Sequence, residues 1–264
     1  MKSKNLTKTV LAVVLVAAGV FALFKICQYE RRQNERIDSL AEEVKLLTHK
    51  LNGLTGGVEW PEGCYNYLAI GNSITLHEIT SFWWDVRGMA ASETEKDYFH
   101  LVSSGLEKRF GKVFAVPYNF ATWEVQAHDR DETLVSLDKY LSPKIDLITV
   151  QLAENASNLD TYGQDFVSFL NYLKTYCPNA RILVVGDFWI YKDRDLLKEQ
   201  ACRECGIEYL SLEGINDDKA YQCGLGTAVL DGEGKPHIVE HEGVAAHPGD
   251  LGMEAIANRI LEAL

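Results

Sequence analysis

The sequence has 264 residues and a formal net charge of −12, with 47% hydrophobic and 24% charged residues. Such a chain can bury a sizeable core, which excludes a collagen-like or disordered protein. Its acidity argues against a nucleic-acid binder, because such proteins need clustered Lys and Arg. The first 54 residues carry nine basic and five acidic side chains, whereas the rest carry 17 and 33. This uneven charge predicts two physically different parts.

The first part begins with a segment typical of a membrane anchor. Three Lys lie within residues 1–8, and the run from Thr9 to Phe24 contains no charge. Sixteen helical residues span roughly 24 Å, against about 30 Å for a bilayer core, and a snorkelling Lys25 lets the apolar segment extend further. We predict a cytoplasmic tail over 1–8 and a single transmembrane signal anchor over 9–27, which places the following domain outside the cytoplasm. A cleaved signal peptide is the alternative.

A helical stalk is predicted over 28–54. Its apolar residues alternate at intervals of three and four, as in the a and d positions of a coiled coil. They are Ile37, Leu40, Val44, Leu47, Leu51 and Leu54. The pattern favours a homo-oligomer that associates through 37–54, with an amphipathic helix on the domain surface as the alternative. Four Gly and one Pro between residues 53 and 63 then mark a linker, 55–63, before the globular domain 64–264.

The globular domain alternates short apolar runs with amphipathic segments. The predicted strands are Tyr65–Ile70, Val113–Val116, Ile145–Gln151, Arg181–Val185 and Ile207–Leu210. The predicted helices are Lys96–Phe110, Leu134–Leu141, Asp165–Tyr176, Leu196–Cys205 and Gly249–Leu264. Strands separated by helices form right-handed βαβ units and a parallel sheet. The predicted fold is therefore a three-layer α/β/α sandwich with a five-stranded parallel sheet.

Polar residues follow several of the predicted strands, where functional groups gather in parallel sheets. Ser73 lies in a small turn after the first strand, Asn119 follows the second, and Asn155 follows the third. His247, near the end of the chain, is a candidate base for the serine hydroxyl. A hydroxyl, an imidazole and donors for an oxyanion are the parts that nucleophilic catalysis needs.

Together these positions resemble the SGNH, or GDSL-type, serine hydrolases across the globular domain. The run 71–75, Gly-Asn-Ser-Ile-Thr, is similar to the first block of that family and implies Ser73 as the nucleophile. Asn72 stands where the family usually has Asp. The run 247–253, His-Pro-Gly-Asp-Leu-Gly-Met, resembles the fifth block and implies His247 as the general base.

The resemblance also implies oxyanion donors. The run 151–155, Gln-Leu-Ala-Glu-Asn, resembles the third block and implies that the Asn155 amide is one donor. The run 119–123 lies where the second block would be but lacks the family's Gly, so we expect a backbone N–H near Thr122 or Trp123 instead. The residues expected around the oxyanion or the pocket are Asn119, Thr122, Trp123, Gln151 and Glu154.

The sequence does not identify the acid that would orient His247. In the family it usually stands three residues before the histidine, where this chain has Val244. Glu242 and Asp250 are nearby carboxylates, and either of them, or a backbone carbonyl, could orient His247.

The resemblance implies a serine esterase that uses neither a cofactor nor a metal and acts on short acyl esters. Surface placement favours O-acetyl groups of an envelope or extracellular glycan. Trp83, Trp84 and Trp123 could form a platform for sugars, with a place in the core as the alternative. An acyltransferase with the same Ser-His pair and a non-catalytic glycan-binding protein are the alternative functions. The sequence has no glycine-rich loop for a nucleotide, and Cys202-x-x-Cys205 has no second pair of ligands for zinc.

Overall fold

The computed structural model describes residues 25, 28–29, 31–33, 36, 56–126, 128–215 and 218–264. The predicted anchor 9–27 and stalk 28–54 lie almost entirely outside these residues, so both stay predictions. In the part of the chain so described, no helix is both long enough and apolar enough to cross a membrane. The chain divides into two units, Met1–Thr55 and Gly56–Leu264.

A five-stranded parallel sheet forms the centre of the second unit. Its strands are β1 (Tyr65–Gly71), β2 (Val113–Asn119), β3 (Leu147–Gln151), β4 (Arg181–Val185) and β5 (Glu208–Leu210). They are ordered β2-β1-β3-β4-β5. All of β3 is buried, as expected for a central strand that is covered on both faces. The predicted parallel sheet is confirmed, and the strand boundaries agree to within a few residues.

Helices cover both faces of the sheet. They are α1 (Tyr98–Phe110), α2 (Ala121–Val125), α3 (Arg130–Thr133), α4 (Tyr162–Tyr176), α5 (Lys192–Cys205), α6 (Glu242–Ala245) and α7 (Asp250–Ala263). Successive side chains of β1 point to opposite faces. Tyr67 and Ala69 belong to one hydrophobic cluster with α1 and α7, while Leu68 and Ile70 belong to another with α4 and α5. The three-layer α/β/α arrangement is therefore confirmed.

The predicted helix Leu134–Leu141 is wrong in its length and type. The structure has only a short 3₁₀ turn there, Leu134–Leu137, directly after α3. The apolar spacing that predicted a helix is met by tighter turns, in which the N–H of Tyr140 donates to the carbonyl of Leu137 at 2.7 Å.

Five short helices and strands were not predicted. They are α2, α3, α6 and the two strands of an antiparallel hairpin, β6 (Ala228–Leu230) and β7 (Pro236–Ile238). Each has only three to five residues, which is too short for a hydrophobic period to be recognised.

Three adjacent strands, β2, β1 and β3, end at the same level. Gly71, the last residue of β1, pairs with Asn119 of β2 on one side and Gln151 of β3 on the other. A Cβ atom on Gly71 would lie 2.5 Å from the carbonyl oxygen of Gln151, which is part of the neighbouring backbone. The close approach of the strand ends therefore requires glycine at this position.

We expect Gly71→Ala to lower the free energy of unfolding by about 1–3 kcal/mol, because the added methyl group would force the strand ends apart. Thermal denaturation followed by circular dichroism measures the change. The matched control is Gly163→Ala in α4, where the new Cβ would meet only the side chain of Leu197, at 3.3 Å. Equal stabilities of the two variants would contradict this account of Gly71.

Candidate active site

Ser73 lies in a tight turn directly after β1. The carbonyl of Asn72 accepts the N–H of Thr75 at 3.0 Å, and its side-chain Oδ1 accepts the N–H of Ile74 at 3.1 Å. The carbonyl of Ser73 accepts the N–H of Met89 at 2.8 Å. These bonds hold the turn and leave the Ser73 side chain half-buried at the carboxyl edge of the sheet.

His247 lies next to Ser73, although 174 positions separate them in the chain. The Ser73 Oγ atom is 2.8 Å from His247 Nε2, and His247 Nδ1 is 2.6 Å from the carbonyl oxygen of Gly243. Nδ1 must carry the hydrogen that this carbonyl accepts, so a neutral ring has Nε2 free to accept the serine hydroxyl. This is the tautomer that a base needs when it takes a proton from Ser73.

The surroundings of His247 keep its ring neutral. Burial lowers the pKa of its imidazole from the ordinary 6.5 to about 4. The hydrogen bond to the Gly243 carbonyl opposes this shift, while charges on His77 and His241 add to it. His247 is therefore able to accept a proton over the whole neutral range.

The structure shows that neither candidate carboxylate, Glu242 nor Asp250, orients His247. The Asp250 carboxylate accepts hydrogen bonds from the N–H and the hydroxyl of Ser92, at 2.8 and 2.7 Å, and lies 3.2 Å from Lys96 Nζ. Glu242 is exposed in the first turn of α6. The Nδ1 hydrogen goes instead to a backbone carbonyl, because the short helix α6 brings Gly243 back over the histidine ring.

Trp189 supports the same histidine and was missed by the sequence analysis. Its ring centroid lies 4.8 Å from that of His247, with the two planes at 81°. Its Nε1 donates to the carbonyl of Ala246 at 3.1 Å, which holds the segment just before His247. Trp189 follows the end of β4 by four residues, so attention to the carboxyl ends of strands would have included it.

The end of β2 holds the nucleophile turn. Asn119 Nδ2 donates to the carbonyl of Leu76 at 2.7 Å. Thr122 is exposed on α2. Trp123 lies in the hydrophobic core: its N–H donates to the carbonyl of Phe120 at 3.0 Å and its side chain is fully buried. Its ring packs against core aromatic residues, namely Tyr162, Phe166 and Phe169.

The end of β3 brings the other predicted residues to this edge. Gln151 is buried and donates from its side chain to Glu154. Asn155 is exposed, and its Nδ2 lies 2.5 Å from Glu124 Oε2. Glu124, on α2, is buried and was not singled out from the sequence. A carboxylate so soon after a strand end was the available signal.

A cavity of about 250 Å³ lies beside His241, a residue whose charge acts on His247. Its lining residues are Ser81, Phe82, Trp84, Ile238, Glu240 and His241. The Phe82 ring stacks on His241 at 4.4 Å, and the Trp84 ring stacks on His237 at 4.6 Å. The helix that begins after His241 carries the carbonyl that holds His247.

The three tryptophans considered as a platform for sugars lie in different environments. Trp83 and Trp123 are fully buried and belong to the hydrophobic clusters of the core. Only Trp84 is half-exposed and lines a cavity.

Comparison with solved structures finds the same fold in other proteins. A protein from Bacteroides uniformis described as a GDSL-like lipase superposes with a TM-score of 0.52 and 15% identity, covering 77% of this chain and 96% of that one. A GDSL-like lipase from Bacteroides ovatus gives 0.51 and 12%, covering 76% and 98%. This chain has the fold of the GDSL-type, or SGNH, hydrolases.

A two-domain esterase described as active on acetylated mannans is also similar in fold to this chain. It superposes with a TM-score of 0.50 and 15% identity over 83% of this chain, which spans about half (52%) of that protein. No protein-family model and no curated protein matches the sequence. At these identities, the likeness concerns the fold.

We expect His247 to titrate near pH 4 in the folded protein, against 6.5 in the unfolded chain. Because the folded pKa is lowered, stability from this group is present above pH 6.5 and is lost as the pH falls toward 4. Imidazole NMR titration of the 56–264 unit measures the pKa. His100 is an internal control: burial opposes its protonation, but the hydrogen bond to Asp97 and the charges of Asp97 and Glu95 together outweigh burial and raise its pKa. A His247 midpoint above that of His100 would contradict the prediction.

Proposed function

We propose that this protein is a serine esterase that removes short acyl groups, in particular O-acetyl groups, from a glycan. The contact of 2.8 Å between Ser73 Oγ and His247 Nε2 carries the proposal. A serine hydroxyl bound to a neutral, oriented imidazole is the pair that nucleophilic acyl transfer requires. The fold shared with GDSL-like lipases and an esterase supports the same reaction class.

In the first half-reaction, Ser73 Oγ attacks the ester carbonyl carbon while His247 Nε2 takes the hydroxyl proton. The carbonyl oxygen becomes an oxyanion, for which the N–H of Ser73 and the amide of Asn155 are the proposed donors. The C–O bond to the alcohol then breaks, and His247 gives its proton to the departing alkoxide oxygen. The product is an acyl-serine and a free alcohol.

In the second half-reaction, water attacks the acyl-serine and gives its proton to His247. Collapse of the second tetrahedral intermediate releases the carboxylic acid, and the proton returns to Ser73 Oγ. No side-chain acid is needed to set the tautomer of His247, because the Gly243 carbonyl already accepts the Nδ1 hydrogen. The imidazolium is then stabilised by a carbonyl dipole rather than by a full negative charge.

The cavity beside His241 supports a glycan as the alcohol part of the ester. It combines aromatic faces, from Phe82 and Trp84, with polar groups from Ser81 and Glu240. Sugars stack their apolar faces on aromatic rings and bond their hydroxyl groups to such polar side chains. One protein of the same fold is described as active on acetylated mannans, which supports the same substrate class.

We also propose that the esterase is anchored in the cell membrane by residues 9–27 and lies outside the cytoplasm. The uncharged run from Thr9 to Phe24 and the heptad pattern of 37–54 support an anchor and a self-associating stalk. An envelope or extracellular glycan would then be within reach of the enzyme.

Ser73→Ala should abolish labelling by a fluorophosphonate and reduce hydrolysis of an aryl acetate by at least about 10⁴-fold, because the nucleophile is lost. Rates for the wild type and the variant are measured by release of the phenol. The matched control is Glu242→Gln, which should stay within about twofold of wild type as an exposed substitution that does not contact His247. Labelling that persists in Ser73→Ala would overturn the proposed function.

Trp84→Ala should raise KM for an acetylated oligosaccharide by about 3- to 10-fold through the loss of an aromatic face, with little change for an aryl acetate. Released acetate gives the rates. Phe110→Ala is the control, because Phe110 is also an exposed aromatic residue but stacks on Tyr65 at the opposite edge of the sheet. If KM for the oligosaccharide does not change in Trp84→Ala, the cavity is not the glycan site.

A further inference from the structure

Asn72, the residue before the proposed nucleophile, donates two hydrogen bonds from its side chain and accepts one. Asn72 Nδ2 donates to Glu124 Oε1 at 2.9 Å and to Glu154 Oε2 at 2.7 Å. Its Oδ1 accepts the N–H of Ile74 at 3.1 Å. An aspartate could accept the bond from Ile74, but it could not donate to either glutamate. The amide of Asn72 is therefore matched to a pair of carboxylates beneath the nucleophile turn.

One of these carboxylates also holds the loop that carries Asn155. Glu124 Oε1 accepts the N–H of Ala153 at 2.5 Å, and Glu124 Oε2 accepts from Asn155 Nδ2 at 2.5 Å. Ala153 has φ = +114°, a conformation that residues with a Cβ atom rarely adopt. Glu124 thus stabilises a strained turn and joins the nucleophile loop to the proposed oxyanion loop.

The other carboxylate lies in a buried cluster of charges. Glu154 Oε1 accepts from the side chain of Gln151 and from the N–H of Phe188. Burial raises the pKa of Glu154 to about 7, the charge of Asp187 adds to the rise, and Lys198 opposes it. The charged or titratable groups that act on Glu154 come from several elements: Glu124, Asp187, Lys198, Arg194, Tyr98 and Tyr162.

No cation in the described cluster is free to neutralise a carboxylate added beside Glu124 and Glu154. Asp187, which is fully buried, forms ion pairs with Lys198 and Arg194, so these two cations are already engaged. A carboxylate at position 72 would face Glu124 and Glu154 without a donor on either. Like charges at such distances in a buried site strongly disfavour ionisation, and one group would have to take up a proton.

We propose that Asn72 and Glu124 are positioning residues that hold Ser73 and Asn155 in register, and that the carboxylate pair Glu124/Glu154 makes Asn72, rather than the Asp usual in the hydrolases this chain resembles, necessary here. The proposal rests on the proposed esterase function for its kinetic readout. Its physical basis is the set of hydrogen bonds that converge on the buried Glu124 and the half-buried Glu154.

The first test is Asn72→Asp in the full chain. We expect kcat for an aryl acetate at pH 8 to fall by about 10- to 100-fold, with KM almost unchanged, because the turn that aims Ser73 shifts while the pocket remains. The loss should shrink at about pH 5.5, since a proton shared between carboxylates then replaces the missing N–H. His247 remains neutral at that pH, so its protonation does not mask the recovery.

The second test exchanges the hydrogen-bond donor and acceptor between positions 72 and 154. When Asn72→Asp is combined with Glu154→Gln, the new amide at position 154 donates to the new carboxylate at position 72, while the amide oxygen accepts from Gln151 and Phe188. We expect kcat at pH 8 to rise by about tenfold over Asn72→Asp alone. Glu154→Gln alone should lower kcat less than Asn72→Asp does. Its amide oxygen can still accept from Asn72, and its NH2 group can donate to the unpartnered Oε1 of Gln151 once that side-chain amide turns over, so that the N–H of Phe188 alone loses its acceptor.

Glu124→Gln gives a third variant in case Asn72→Asp does not fold. A Gln amide cannot accept from Asn72, Ala153 and Asn155 together, so we expect kcat to fall about 10-fold or more with KM unchanged. Tyr209→Phe is the control for a merely structural loss. It removes a bond of 2.8 Å to Asp195 and should lower the Tm without changing kcat.

The outcomes separate the two proposals. If the wild type hydrolyses the ester and Asn72→Asp keeps the wild-type kcat at pH 8, the positioning proposal is wrong and the esterase proposal stands. A double variant no faster than Asn72→Asp would also overturn the coupling to Glu154. If the wild type itself is inactive, the Tm still decides: coupling predicts a lower Tm for Asn72→Asp at pH 8, recovery at about pH 5.5 and recovery in the double variant.

Discussion

The alignment of three parallel strand ends is the constraint on which the site depends. Gly71 lies level with Asn119 on one side and Gln151 on the other, so the three loops that follow leave the sheet at the same height. Ser73, Glu124 and Asn155 are each only a few residues beyond those ends. Since parallel strands must pass their connections over the faces of the sheet, this edge is the place where short polar loops can meet.

Because the loops meet at one edge of the sheet, they bring like charges close together, and backbone and amide groups stabilise those charges. Glu124 and Glu154 are brought together under the nucleophile turn, and N–H donors from several loops converge on them. On the far side of the turn, the Gly243 carbonyl takes the place of an acid beside His247. The carboxylates thus support the loops, and the histidine that contacts Ser73 is oriented by a dipole.

The elements with a clear hydrophobic period could be predicted from sequence. The sheet strands and the long helices α1, α4 and α7 have hydrophobic patterns that match their packing in the sheet layers. Their predicted positions therefore agree closely with the structure. The prediction for segment 134–141 failed because a spacing of three, as between Leu134, Leu137 and Tyr140, also suits 3₁₀ turns. The hairpin β6–β7 and helix α6 are too short to show a period. Yet α6 supplies the carbonyl that orients His247, so the missed element bears on the site.

The order of the five sheet strands and the long helices, and the candidate pair Ser73 and His247, can be read from the sequence because they depend on local pattern and on recognisable runs. What surrounds this pair is visible in the folded chain alone. Glu124, Trp189 and Gly243 become important through contacts between segments distant in the chain. The burial of a carboxylate, the direction of an amide and the acceptor of one imidazole hydrogen are set by packing, and a linear sequence does not specify packing.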